Sequence, residues 1–406
     1  MEKIIIFVCF FMLFLAACKS GKEEYLKGKK YYNNEQFKKA VKLYKKSSNY
    51  GNAKAQYELA KLYLNGKGTE RNMKKAKNLL KKSANKNFTD SYYLLGFIYK
   101  KNDKKSSKYF KQAFEGYQKL ANKNNTKAQY KLGDMYYHGD YYGNFIDKNF
   151  NKAFKYFKKA ADKNNNKAQY RLSQMYFRGE SVVKDYRKGF ELLRISAENG
   201  NSVAQYDIYE DLRFGTHTIK DHNAAINWLK KSAENGYTEA QLELANLYNT
   251  KKSFRTVKVI DKNPKQAFIW YKKAAEKGHP EAQYNLGNSY YYGNGVDKNY
   301  KKAFEWFNKA INNGNIKAMQ KIGEMYYNGK GVEKNEDKAK EYYINSAKKG
   351  DSEDMFLLGK MYLKGKLFQK NYKKAKYWVK KAYETSSKIM KKRYKDYWDN
   401  HELWKY

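Results

Sequence analysis

One short motif recurs along this chain at a nearly constant interval, and that interval limits what the chain can fold into more than any other feature. Ala55-Gln56-Tyr57 returns as Ala128-Gln129-Tyr130, Ala168-Gln169-Tyr170, Ala204-Gln205-Tyr206 and Ala282-Gln283-Tyr284. Ala240-Gln241, Ala318 and the degenerate positions Ser91 and Asp354 complete the series. Successive copies lie 36, 37, 40, 36, 36, 42, 36 and 36 residues apart. Such a period marks an array whose units cannot bury their apolar faces alone and must stack on their neighbours.

Within each unit the spacing is helical. Four places after the alanine stand Leu59, Leu95, Leu132, Leu172, Ile208, Leu244, Leu286, Ile322 and Leu358, and eight places after it comes a Tyr in every copy but one, where Leu212 replaces it. Offsets of zero, four and eight run along one stripe of an α-helix. Five places on, the residue is small in nearly every copy: Ala60, Gly96, Gly133, Ser173, Ala245, Gly287, Gly323 and Gly359, with Tyr209 the exception. Glycine weakens a helix, so its recurrence predicts the close approach of a second helix. Eleven places on, Gly66, Gly139, Gly179, Gly215, Gly293, Gly329 and Gly365, with Asn102 in the second copy, end the first helix in the left-handed conformation. Lys251 breaks that rule and predicts a frayed or longer end.

A second helix follows, marked by Ala76, Gly189, Ala225, Ala303, Ala339 and Ala375. Asn72, Asp185, Asp221, Asn299, Asn335 and Asn371 stand four residues earlier as N-caps, and Gly200, Gly236, Gly314 and Gly350 close the far end. Pro264 and Pro280 fit the first helical position, where a missing amide does no harm. In the longer copies the second helix is expected late, at Ala113, Ala153 and Ala267, which places all the extra residues in the loop between helices. The longest insertions are 140–148 and 249–262.

The reading is therefore all-α, with an irregular hairpin at 23–51, nine repeats at about 52–87, 88–124, 125–164, 165–200, 201–236, 237–278, 279–314, 315–350 and 351–385, and a charged, aromatic capping helix at 386–406. Ahead of this array, Lys3, the apolar run Ile4 to Phe14 and Leu15-Ala16-Ala17-Cys18 form a leader too short to span a bilayer. Its last four residues resemble the lipobox of bacterial lipoproteins, which implies a signal peptide at 1–17, cleavage after Ala17, lipidation of Cys18 and a tether over 18–22. Cys9 is the only other cysteine, so the mature chain forms no disulfide framework and no cysteine metal site.

A formal net charge of +43 suggests nucleic acid at first sight, but export removes access to it, and part of the Lys, Asn, Tyr and Ile excess is what an AT-rich genome encodes. The remaining consequence is attraction to anionic lipid headgroups and acidic envelope polymers. No nucleophile elbow, phosphate loop or zinc signature is present, and His217 and His222, five apart in a loop, do not share a helical face. Gly293-Asn294-Gly295 and Gly329-Lys330-Gly331 look phosphate-like but recur as helix stops. Neither catalytic residue, metal nor cofactor is assigned.

Tyrosine, with 42 copies, is the stronger signal. The residue nine places after the alanine (Tyr137, Phe177, Tyr291 or Tyr327) points about a hundred degrees from the packing stripe and is expected on an inner surface, where an aromatic ring suits proteins and sugars. Tyr141, Tyr142 and Phe145 of the first insertion join these as candidate ligand-binding residues.

The pattern Ala-x-Ala-Gln-Tyr-x-Leu-Gly-x-x-Tyr-x-x-Gly, followed by Lys-Ala-x-x-Trp-x-x-Lys-Ala, resembles the Sel-one-like repeat family, relatives of the tetratricopeptide repeat, most clearly over residues 280–314. Residues 23–51 look more like a tetratricopeptide unit. The resemblance implies an α/α superhelical solenoid that binds proteins and has no active site. Three functions follow as expectations: a lipid-anchored scaffold for a protein partner in the bacterial cell envelope, on the periplasmic side or the cell surface; a binder of anionic cell-wall or surface polysaccharide; or an enzyme acting on the cell wall.

Overall fold

A computed structural model describes residues 21–101, 103–143, 145–216, 218–250, 253–254, 257–258, 260–350 and 352–406. The leader, Cys18, the Asn102 helix stop, His217 and Lys251 lie outside the described residues. The chain divides into two compact units, the first ending at Asn199 and the second starting at Gly200. The first unit stacks five helical hairpins: 21–33 with Phe37–Asn49, Ala53–Asn65 with Met73–Ala84, Thr89–Ile98 with Asp103–Asn122, Thr126–His138 with Phe150–Ala161, and Asn166–Arg178 with Tyr186–Glu198. The second unit holds Ser202–Phe214 with His222–Glu234, Thr238–Asn249 with Pro264–Glu276, Pro280–Tyr292 with Tyr300–Asn312, Lys317–Asn328 with Glu336–Lys349, and Ser352–Lys364 with Tyr372–Thr385. Helix Lys388–Asn400 then lays Tyr394, completely buried, against Phe356 at a ring separation of 4.5 Å. Apart from a two-residue ladder pairing Ser253–Phe254 with Val257–Lys258 inside the second insertion, the described secondary structure is helical.

Each hairpin closes at one place. The N-cap residue of the second helix donates its amide to the carbonyl eight places after the repeat's alanine: Asn72 to Tyr63, Asp185 to Tyr176, Asp221 to Leu212, Asn299 to Tyr290, Asn335 to Tyr326 and Asn371 to Tyr362, all at 2.8–3.0 Å. The side chain of the same N-cap accepts from the third helical amide, as with Asn72 and Lys75 at 2.8 Å and Asn299 and Lys302 at 2.9 Å, a cap worth about 1 kcal/mol. The two long insertions keep the same closure, Asn149 to Tyr136 and Asn263 to Tyr248, each at 2.8 Å. A lysine one residue before the second-helix alanine lies over the closing Tyr ring in eight hairpins, from Lys39 over Tyr31 at 5.3 Å to Lys374 over Tyr362 at 5.3 Å.

The small residue at the fifth place has the reason the sequence suggested. A Cβ on Gly96 would stand 2.5 Å from the Phe110 ring, one on Gly133 or Gly287 2.6 Å from Phe157 or Phe307, and one on Gly359 2.7 Å from Val379. Where the small residue is Ala60 or Ser173, the second helix offers Leu80 or Leu193 at the matching position. In the weakest copy Tyr209 takes the slot, buried, and its hydroxyl reaches Glu243 at 3.1 Å beside Arg213. The hairpin at 21–49 obeys the same rule, with Gly28 against Tyr44 at 2.8 Å, so the segment that resembles a tetratricopeptide unit shares the packing of the rest.

Neighbouring hairpins are stapled by the buried glutamine of the Ala-Gln-Tyr motif. Gln56, Gln169, Gln241 and Gln283 donate to the last carbonyls of the preceding second helix, at 2.9–3.4 Å. Asn199, Asn235 and Asn313, at the end of each copy's own second helix, donate back to Gln169, Gln205 and Gln283 at 2.9–3.0 Å. Where a lysine replaces that Asn, its ammonium crosses to the preceding hairpin: Lys163 to the Asn124 carbonyl at 3.1 Å and Lys277 to the Gly236 carbonyl at 2.6 Å.

The structure corrects four sequence readings. The second helix of the second repeat starts at Asp103, not late, so Ala113 lies inside it and Ser106 takes the marker position, donating to the Gly96 carbonyl at 2.9 Å. That copy has lost loop residues and lengthened its helix. Gly139 leaves the left-handed region (φ 49°, ψ −115°) because the insertion turns there, and Gly350 is extended (φ −84°) where its equivalents Gly200, Gly236 and Gly314 are left-handed. The second glycine of the Gly-x-Gly runs is more than a helix stop. A Cβ on Gly295 would fall 2.0 Å from the Pro264 carbonyl oxygen, so the loop packs on the preceding hairpin's second helix.

Gly287→Ala is expected to lower the unfolding free energy by about 1–3 kcal/mol through overpacking, read as a lower denaturant midpoint. Adding Phe307→Leu, which recreates the Ala60 and Leu80 pair, should recover most of that loss in the same unfolding measurement.

Candidate functional site

The densest group of charged and aromatic side chains on a first-helix face lies in the first unit, over repeats two to four. It grows out of the two irregular copies. Tyr93, Phe97 and Phe110 of repeat two pack together, and the insertion of repeat three lays Tyr142 against all three. A 3-10 turn over Gly139–Tyr142 sets Tyr142 against Phe110 at 5.1 Å and Tyr93 at 5.9 Å between ring centres. Phe145 packs on Phe114 at 5.9 Å.

Asp134 holds this arrangement. It sits on helix Thr126–His138, only 7% exposed, and a buried carboxylate is tolerated only when its oxygens are satisfied. Tyr142 donates its hydroxyl to Oδ2. Arg171 approaches Oδ1 at 3.4 Å from the next repeat, and His138 Nδ1 lies 3.5 Å from the same oxygen. The Tyr142 and Tyr93 hydroxyls are 3.1 Å apart. Lys131 lies over the Tyr93 ring at 3.9 Å, and burial pushes its ammonium below the ordinary lysine value against the pull of Asp134 and Asp90. Asp90 accepts from Tyr117 at 2.7 Å and pairs with Lys127.

At the surface of this cluster, Tyr141 is 51% exposed with Lys100 over its ring at 3.0 Å. Tyr137 is half-buried; its hydroxyl donates to Glu180 at 2.8 Å and accepts from Arg178 at 2.9 Å. Chemically this face can hold a chain by stacking, by cations and by tyrosine hydroxyls. It brings together no nucleophile with a base, and among the described residues no group of His, Cys, Asp and Glu is placed to hold a metal ion.

Of the residues singled out from sequence, the structure gathers Tyr137, Tyr141, Tyr142 and Phe145 into this one region. Phe177 is part-buried over Gly189, beside Tyr186. Tyr291 is 3% exposed, with its hydroxyl donating to Glu324 at 2.7 Å and accepting from Lys330 at 3.2 Å. Tyr142 is equally buried, so the rings of Tyr291 and Tyr142 pack the fold and present no free face. Tyr327 is part-buried against the last hairpins. Sequence reading missed Asp134, Lys131 and Arg171. Their signal was a charge three or six places after the repeat's alanine, directly beside the buried stripe.

With that geometry in view, comparison with known proteins decides the family. A family model described as the Sel1 repeat matches residues 12–52, 53–88, 91–116, 126–165, 166–201, 212–237, 238–279, 280–315, 316–351 and 352–384. The chain belongs to the Sel1 repeat family. Its first Sel1 repeat includes the hairpin with the Gly28 and Tyr44 pair. A protective antigen present in uropathogenic Escherichia coli strains, solved by crystallography and displaying an SLR fold, is similar at 30% identity, covering 94% of this chain and 80% of that one with a TM-score of 0.55. A Sel1 repeat protein from Oxalobacter formigenes is similar at 29% identity over 62% of this chain and 98% of that one, with a TM-score of 0.48. No curated protein gives a significant match. Sel1 repeats thus account for the helical scaffold, and the Asp134 cluster is what this chain builds on it.

Burial first, and then Asp134 or Asp90, raises the hydroxyls of Tyr93, Tyr117 and Tyr142 above the ordinary value of 10. A raised folded-state value means stability is complete below pH 10 and falls as pH rises beyond it, because the unfolded chain loses these protons first. Alkaline titration should show a fraction of the tyrosinate absorbance withheld until helical circular dichroism is lost; the full tyrosinate absorbance reached with the helices intact would contradict the burial.

Proposed function

We propose that this chain is a lipid-anchored scaffold of the bacterial cell envelope, held at a membrane through Cys18, that grips a protein partner on the first-helix face around Tyr137, Tyr141 and Phe177. The observation that carries the reading is the Asp134 cluster. A buried carboxylate fixes an insertion so that an exposed aromatic ring, two arginines and a half-buried tyrosine stand on rigid helices. Preorganised aromatic and arginine side chains are the groups that dominate protein interfaces. Cations exceed carboxylates on this face, which suits a partner segment carrying acidic residues.

The envelope location draws on the leader, in which Lys3, an apolar run and Leu15-Ala16-Ala17-Cys18 stand in the order that lipoprotein processing requires. Among the described residues no helix is long and apolar enough to cross a membrane, so membrane attachment rests on the acylated cysteine. The Escherichia coli relative is described as a protective antigen, a description that suits a chain on the exported side. A scaffold requires no catalytic set, and the cluster is arranged for holding.

A photoreactive amino acid placed at Tyr141 in the full chain, in cells, is expected to yield a protein adduct of defined mass, while the same group at Lys155 on a second helix yields none. Adducts from Lys155 with none from Tyr141 would remove the partner from this face. Cys18→Ala should let a high-salt wash release the chain from the membrane fraction, which the acylated chain resists, without altering its helical content.

A further inference from the structure

The positive charge is not spread evenly over the array. The second helices of the first four hairpins, Phe37–Asn49, Met73–Ala84, Asp103–Asn122 and Phe150–Ala161, carry nineteen lysines, no arginine and two carboxylates. The next five second helices, from Tyr186–Glu198 to Glu336–Lys349, carry fifteen basic and eight acidic residues, and the last, Tyr372–Thr385, again carries five lysines and one carboxylate. Of the nineteen lysines, eighteen are exposed. Five of them (Lys39, Lys75, Lys77, Lys105 and Lys152) lie over tyrosine rings and serve the hairpins. The others have no such task. Three pairs stand at the same place in the last helical turn, Lys45-Lys46, Lys81-Lys82 and Lys158-Lys159; the later pairs at this place are Lys230-Lys231, Lys272-Lys273 and Lys380-Lys381, of which Lys272 and Lys380 meet Glu276 and Glu384 at 4.0 and 3.9 Å.

We infer that this lysine face is a docking surface for an anionic bilayer, which presses the first unit against the membrane carrying its anchor. The choice of a bilayer rests on the reading of Cys18 above, since the first described helix begins only three residues after it. Three features favour headgroups over a specific ligand. Lysine rows recur on successive second helices, so their charges sum to a positive potential over an extended face and are not gathered at one point. Lysine without arginine supplies a field of point charges and lacks the bidentate fork that singles out one phosphate. No aromatic ring of these four helices is exposed: Tyr44, Phe110, Tyr117 and Phe157 are buried, and the others, such as Tyr109 and Tyr156, are part-buried, which makes a poor platform for sugar rings. The first-helix face with Tyr141 stays free for a protein.

The test uses the full chain, with and without Cys18→Ala, floated with vesicles of phosphatidylcholine alone or phosphatidylcholine with phosphatidylglycerol at a ratio of about 7:3. The readout is the ratio of binding to the two vesicle types. That ratio should be about tenfold or more at low salt in both chains and should collapse near 0.5 M NaCl. Glutamine at Lys45, Lys46, Lys81, Lys82, Lys158 and Lys159 should remove most of it with helical content intact. Glutamine at Lys265, Lys272, Lys301, Lys309, Lys348 and Lys349, an equal change in net charge, should leave it within about twofold. Equal losses from both sets, or a ratio near one, would overturn the proposal. Tighter binding of soluble dextran sulfate than of vesicles through the first set would also overturn it, by assigning the face to a polymer. If Cys18→Ala leaves binding to phosphatidylcholine unchanged, the anchor reading fails separately, because the ratio does not depend on it.

Discussion

The bond from each second-helix N-cap amide to the carbonyl eight places into the repeat is the constraint on which the other features depend. It fixes the two helices of a hairpin at one register, and the small residue at the fifth place then lets them approach until a Phe, Tyr or Leu of the second helix fills the space above it. Because closure lies at the helix ends, the residues between those ends are free to vary in number. Repeats three and six insert loops without disturbing the bond. Repeat two starts its second helix early yet keeps Phe110 over Gly96, and the insertion of repeat three packs Tyr142 against Phe110 and Tyr93. The candidate surface is thus a product of two departures from the rule, one short copy beside one long copy.

The same economy applies to charge. Part of the lysine excess is structural, because eight lysines cover the closing tyrosines and others replace asparagine in the staple between hairpins. An exposed cation over a tyrosine contributes roughly 0.5–1 kcal/mol, small singly and useful when repeated in most hairpins. What is left over is densest on the second helices nearest the N-terminus and on the last one, while the first-helix face of repeats two to four buries Asp134 and exposes Tyr141.

Much of the fold was legible because the array repeats. Nine imperfect copies average away local exceptions, so N-caps such as Asn299, helix stops such as Gly293 and the close approach at Gly287 could be read from spacing alone. The start of the second helix in repeat two could not, because Ala113 occupies a position that is also small in the other copies, and only the three-dimensional match of Phe110 to Gly96 reveals the shift. The candidate site was half legible. Its aromatics stood out as doubled tyrosines, but angular position on a helix did not separate Tyr291, buried by Glu324 and Lys330, from Tyr141, which is free. Asp134 gave only a faint signal, a charge beside the buried stripe, because its burial depends on the Tyr142 of the insertion and the Arg171 of the next repeat.

Amide hydrogen exchange, resolved by residue in the full chain, tests the closure bond most directly. Asn149 and Asn263, which follow the longest loops, should be as strongly protected as Asn299 and Asn335, which follow the shortest, with loop amides between them exchanging far faster. Asn149 and Asn263 exchanging at the rate of their loops, while Asn299 and Asn335 stay protected, would show that the register is set by loop length and would contradict the account.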